Sequence, residues 1–234
     1  VIDPGEQHGA QLEVLAGFRL QRLEVLNWGT FDKRAWALDL GGGTALLTGG
    51  NGSGKSTLVD GLLTLLVPNR GRNYNQASGE AGKKKERNER SYVKGAYART
   101  RSDEGYESKT KFLRDKGEIS VLMAYFSDAA LEREVTLAQV LWVDGSAVRK
   151  FFAIADEELK MEYFTQCQEI SLLKKTLKEN KVELFDNFSK YAQQFRKRFG
   201  LLSSKALDLF NQTVSIKQID GLNKFVRDHM LEEA

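Results

Sequence analysis

Nine residues constrain this chain more than any others: Gly49-Gly50-Asn51-Gly52-Ser53-Gly54-Lys55-Ser56-Thr57. They fit the pattern G-x-x-x-x-G-K-[ST], and their surroundings are those the pattern needs. Before them, Thr44-Ala45-Leu46-Leu47-Thr48 is a short apolar run of the kind expected of a buried parallel strand. After them, Leu58, Val59, Leu62, Leu63, Leu65 and Leu66 recur at helical spacing until Pro68, which predicts a helix over 56–67. Strand, glycine loop and helix together make a phosphate cradle in an α/β fold. Glycines let the backbone curl so that successive N–H groups point at phosphate oxygens. The helix start adds the positive end of its dipole. The candidate nucleotide contacts are Gly49, Asn51, Gly52, Ser53, Gly54, Lys55, Ser56 and Thr57. Lys55 suits the β- and γ-phosphates of ATP, and the Ser56 hydroxyl suits Mg²⁺.

The rest of the chain is read around that loop. Its 234 residues suit one α/β domain, with or without an appendage. Residues 1–16 are polar and read as a flexible arm. Residues 17–155 read as the lobe that carries the loop. Within it, Phe18 to Leu26 alternates as a half-buried strand, Asn27-Trp28-Gly29-Thr30-Phe31 turns the chain, and Arg34 to Leu40 returns as a hairpin partner. Residues 69–117 have little periodicity and read as a long basic insertion. Strands follow over 118–126 and 134–143, with a turn at Asp144-Gly145 and a return over 147–154. Residues 156–234 read as helical: apolar residues recur at three to four as far as Gly200, and further helices are expected over 204–211 and 219–233.

Charge and cysteine usage narrow the function. Net charge is only +3, yet residues 83–116 hold twelve Lys/Arg against six Asp/Glu, leaving 23 basic and 26 acidic residues elsewhere. Such a segment on a near-neutral body suits either a polyanion partner or a solvated loop. The single cysteine, Cys167, excludes an internal disulfide, and His8 and His229 make no metal-ligand pattern. Charged runs interrupt the apolar stretches well short of a membrane span. These features imply a cytoplasmic protein.

Hydrolysis needs more than the loop. The apolar run ending in an acid, Val140-Leu141-Trp142-Val143-Asp144, passes straight into Gly145, so Asp144 reads as a turn residue rather than a metal carboxylate. No Leu-Ser-Gly-Gly signature is present, and Asn180-Lys181-Val182-Glu183 is only a near miss of the guanine-reading N-K-x-D motif. The expectation is a chain that binds nucleotide but cannot complete catalysis alone.

Two stretches carry a family resemblance. Leu20-x-Arg22-Leu23-x-x-Leu26-Asn27-Trp28-Gly29-Thr30-Phe31, followed by Gly49-x-Asn51-Gly52-Ser53-Gly54-Lys55-Ser56-Thr57-Leu58-x-Asp60, resembles the N-terminal head half of SMC-type ATPases. The turn at 27–31, Ser91-Tyr92-Val93-Lys94-Gly95-Ala96-Tyr97, Thr136 to Trp142 and the spacing from Lys217 to Leu231 are most similar to the MukB-like condensins, and within them to the SMC subunits of Wadjet plasmid-defence systems. The resemblance implies an α/β P-loop NTPase fold of the ABC/SMC head type: an N-terminal lobe with a mixed sheet, then helices leading into a coiled coil. It implies ATP and Mg²⁺ as cofactors, with the ATPase site completed by a C-terminal half and a second head of a homodimer. The partners it implies are a kleisin, winged-helix (KITE) subunits, double-stranded DNA and a toprim-type nuclease, with the complex on nucleoid or plasmid. SMC heads also place a glutamine on Mg²⁺, for which Gln139 is a candidate, although it falls in an expected strand. Lys83, Lys84, Lys85, Arg87 and Arg90 are the candidate DNA-phosphate contacts. Arg87 and Arg90 suit nucleotide phosphates equally well. Three functions remain open at this point: a DNA-translocating motor head, an SMC-like repair ATPase partnered with a nuclease, and a non-hydrolysing nucleotide-gated scaffold.

Overall fold

A computed structural model describes residues 16–69, 72, 74, 88–102, 105–114, 117–167, 169–201, 203 and 205–215. The elements run β1 (Arg19–Trp28), β2 (Phe31–Asp39), α1 (Lys55–Leu66), α2 (Glu89–Lys94), β3 (Ala96–Ser102), β4 (Gly105–Phe112), β5 (Ile119–Asp128), β6 (Arg133–Asp144), β7 (Ala147–Ala155), α3 (Glu162–Thr165), α4 (Ile170–Glu179), β8 (Glu183–Phe185), α5 (Phe188–Phe199) and α6 (Lys205–Ser215). Six strands form one sheet in the order β2-β1-β5-β6-β7-β8, and β3 and β4 form a separate two-stranded ribbon.

Alternation along the central strands places two cores on two faces. Leu122 and Ala124 of β5, Leu137 and Leu141 of β6, and Phe152 and Ile154 of β7 share one face with Leu63 and Leu65 of α1 and Tyr191 and Phe195 of α5. Their neighbours Val121, Met123, Ala138, Val140, Phe151 and Ala153 share the other with Leu173 and Leu177 of α4 and Phe164 of α3. Because helices cover both faces, these strands read as nearly unbroken apolar runs. Each fully buried Leu or Phe contributes about 1.5–3 kcal/mol. The helices after residue 155 therefore pack onto the same sheet that carries the loop.

The structure departs from the sequence reading at three places. The stretch 44–48 is not a strand: it enters none of the described strand pairs, and Leu46 is 87% exposed. With no neighbour its backbone has no ladder, so the expected mixed sheet is antiparallel throughout among the described residues. Residues 69–117 are not simply a loop, since α2 and the β3–β4 ribbon lie within them. Helix α2 has only six residues, too few for a period; a capping box between Asn88 and Ser91 starts it and Gly95 at φ 65° ends it. Strand β8 interrupts the helical region, pairing with residues 152–154 of β7. The other expected elements stand, with α1 starting one residue earlier and α6 covering 205–215. The arm at 1–15 and the helix expected over 219–233 lie outside the described residues.

Candidate functional site

The phosphate loop is bounded by glycines that no other residue replaces. Gly54 has φ 95° and is the N-cap of α1, and a Cβ there would meet Cζ of Phe31 at 2.7 Å. Gly49 has φ 155°, and a Cβ there would meet Oγ of Ser53 at 2.7 Å. No side chain caps α1, so the N–H groups of its first turn face the loop, and the helix has no acidic residue in that turn. Lys55 Nζ folds over the loop and donates to the carbonyls of Gly49 (2.5 Å) and Gly50 (2.9 Å). A left-handed glycine cradle, uncapped helix amides and a lysine held at the loop mouth fit a polyphosphate. Ser56 is partly buried in the same first turn.

The turn at 27–31 is the mould against which this loop sets. Trp28 is fully buried, and its indole N–H donates to the carbonyl of Thr57 in the first turn of α1 (3.0 Å). Its ring stacks on Tyr92 of α2 at 4.6 Å. A Cβ on Gly29 would strike Cγ2 of Thr57 at 2.6 Å, so the turn approaches the helix as closely as a backbone can. Asn27, at φ 52°, is tied by its side chain, which accepts from the N–H of Lys33 (2.8 Å) and donates to the carbonyl of Ile119 (3.0 Å). Phe31 backs Gly54. Trp28, Gly29 and Phe31 thus each meet the phosphate loop or the first turn of α1.

Residues 20–81, which span this turn, the loop and α1, match the family described as the P-loop containing region of AAA domain. Among solved structures, the chain is similar to one from work on ATP-driven dimerization and DNA-stimulated activation of SMC ATPases. That likeness has a TM-score of 0.35 and 16% identity over 63% of this chain and 76% of the other. No curated protein matches.

Two arginines behind the loop were hidden from sequence reading. Arg114 is 2% exposed and donates to the carbonyls of Gly29 (2.8 Å), Tyr92 (2.8 Å) and Val93 (2.9 Å) and to the carboxylate of Asp32 (2.8 Å). It binds the mould to α2. Arg72 caps the end of α1 through the carbonyls of Thr64 (2.9 Å) and Val67 (2.7 Å), and pairs with Glu89, which also holds Lys150 (2.6 Å). Asp60, buried on α1, accepts from the hydroxyl of Tyr92. Both lie within residues 69–117, which the sequence reading took only as a basic insertion.

The remaining candidates are dispersed. Asp144 ends β6 beside the Gly145-Ser146 turn, largely exposed, 3.4 Å from Arg149. Gln139 sits in mid-strand between Leu122 and Phe152, fully buried, and neither of its amide atoms has a hydrogen-bond partner among the described residues. No bond ties it to the phosphate loop. Arg90 projects from α2 and donates to the carbonyls of Gly145 (3.3 Å) and Ser146 (2.7 Å). Lys83, Lys84, Lys85 and Arg87 lie outside the described residues. Among the described residues no group of three His, Cys, Asp or Glu side chains is placed to hold a metal, and no helix is long and apolar enough to cross a membrane.

Proposed function

We propose that this chain is the N-terminal half of an SMC-type ATPase head, binding ATP and Mg²⁺ at residues 49–57. The observation that carries the reading is the pairing of a complete phosphate cradle with an unpaired approach to it. Lys55, the uncapped amides of α1 and the glycine turns are all in place, while residues 44–50 lie beside no described strand. An exposed Leu46 next to a phosphate loop suits a seat for strands from another part of the protein. The matched P-loop region supports the nucleotide.

In this reading Lys55 orients the β- and γ-phosphates and the first turn of α1 neutralises their charge. Ser56 would hold Mg²⁺, which would supply positive charge against the phosphate oxygens. A C-terminal half supplies the carboxylates, and a second head supplies the signature motif. Head closure then depends on ATP because these groups together offset the γ-phosphate charge. The finer assignment is a MukB-like condensin of the JetC type, from a Wadjet plasmid-defence complex. Its head would clamp or extrude double-stranded DNA alongside a coiled coil, a kleisin, KITE subunits and a toprim-type nuclease.

The test is titration and turnover of the chain by itself. ATP should bind with a calorimetric signal that Lys55→Ala removes, and no turnover should be measurable at any chain concentration. Co-expression with a C-terminal half should restore turnover that rises more than linearly with head concentration. Unchanged nucleotide affinity in Lys55→Ala would sink the site. Robust hydrolysis by the chain alone, lost in Asp144→Asn, would overturn the composite-site reading.

A further inference from the structure

Two polar side chains in the core beneath α1 have no hydrogen-bond partner among the described residues. Gln139 of β6 is fully enclosed, and neither its amide nitrogen nor its amide oxygen is bonded. Tyr191 of α5 is enclosed to the same degree, and its hydroxyl is unbonded too. By contrast, the buried side chains of Asn27, Thr64, Arg72, Ser120 and Thr136 each make at least one hydrogen bond. The two orphans meet at Phe152. Gln139 stands directly opposite it across β6 and β7, and such pairs project to the same face with Cβ atoms about 4.5–5.5 Å apart. The Tyr191 ring stacks on Phe152 with centroids 4.8 Å apart. Phe152 and Tyr191 belong to the core that α1 and α5 cover, so the Gln139 side chain enters that core as well. Burial raises the pKa of the Tyr191 hydroxyl, and the positive charge of Arg72 acts against that rise. The phenol therefore lies within the field of the polar cluster of Arg72, Tyr74 and Glu89 at the end of α1.

We propose that this core holds an internal water site, in which an ordered water bridges the Gln139 carboxamide on β6 to the Tyr191 hydroxyl on α5. A polar atom left unbonded in a dry core forfeits the hydrogen bonds it made to solvent in the unfolded chain, and folded proteins satisfy nearly all such atoms. Leu122 and Phe152, on either side of Gln139, offer its amide nothing. A buried water needs two to four polar partners. The carboxamide supplies donors and an acceptor, and the phenol acts as either, so this pair can hold a water that donates to one and accepts from the other. The bridge ties β6, in the middle of the sheet, to a helix from the region after residue 155.

Water itself is the probe. In the isotope-labelled, unmodified chain, the side-chain amide protons of Gln139 should show an NOE to water of opposite sign to the ROE, the mark of a water that stays bound. No such cross-peak would overturn the site, whatever the variants do. Stability gives a second measure. Gln139→Leu and Tyr191→Phe should each lower the urea midpoint by about 0.5 M, the scale of one hydrogen bond. The double variant should lose less than the sum of the two, because each change removes the same bridge. A midpoint that rises or stays put in either variant would overturn the proposal, since deleting a truly unbonded atom relieves the core. Strictly additive losses would also overturn it, as two separate sites. Coupled losses without the water cross-peak would make the pair a direct contact and overturn it equally. If a variant fails to fold, the cross-peak of the unmodified chain decides.

Discussion

Removing the guanidinium of Arg114 tests whether the phosphate loop is held from behind. Its four bonds of 2.8–2.9 Å run to three backbone carbonyls and to Asp32, and the side chain is almost wholly enclosed. Arg114→Met keeps much of the volume and deletes every donor. The carbonyls of Gly29, Tyr92 and Val93 then lose their cationic partner, and Asp32 loses its counter-ion. Breaking one side of a buried ion pair costs about 3–5 kcal/mol, because the partner is left uncompensated. Each orphaned carbonyl would add about 1–3 kcal/mol if none relaxed or found water, so the lower range assumes that some do. Against a total stability of about 5–15 kcal/mol, this is a large fraction. With a urea slope of about 2 kcal/mol/M, the unfolding midpoint should fall by about 2 M. Arg114→Lys should lie between, since an ammonium keeps the pair with Asp32 but cannot span the carbonyls of both elements. The assay is tryptophan emission against urea, for which buried Trp28 beside the affected turn is a direct reporter. A midpoint shift below about 0.5 M at unchanged slope would refute the reasoning, because it would mean these carbonyls find other donors at little cost.

Two further outcomes are expected. Neutralising Lys83, Lys84, Lys85, Arg87 and Arg90 to glutamine should weaken DNA binding and lower the log–log salt slope by about 0.9 for each DNA phosphate that no longer meets a cation; an unchanged slope would make this run a solvated segment only. Burial, together with a hydrogen bond to Glu134, pushes the Tyr125 hydroxyl up to about 12. The unfolded chain therefore loses this proton near pH 10 while the folded chain keeps it, so stability should fall as pH rises from 10 toward 12. Tyr125→Phe has no proton to lose, and its melting temperature should decline less steeply over that window; parallel declines would count against the assignment.

The sequence by itself determined the features whose causes are local. A glycine pattern and a following lysine are enough to specify the phosphate loop, because positive φ and close backbone approach are properties of those residues. The period of apolar residues located α1, alternation located β1 and β2, and apolar runs around the Asp144-Gly145 turn located β5, β6 and β7, all to within a few residues. The turn at 27–31 was recognisable as a motif, but its purpose was not: Trp28 meets Thr57 and Phe31 meets Gly54 only once the chain has folded back on itself. Tertiary structure alone decided what could not be local. The stretch 44–48 has strand-like composition, yet a strand exists only with a neighbour, and none of the described strands supplies one. Arg114 belongs to a segment whose charge suggested solvent or DNA, yet its partners Asp32 and Gly29 lie 82 and 85 residues away. A charge is buried or exposed according to what distant backbone brings to it, and that pairing is fixed when α2 docks against the mould of the phosphate loop.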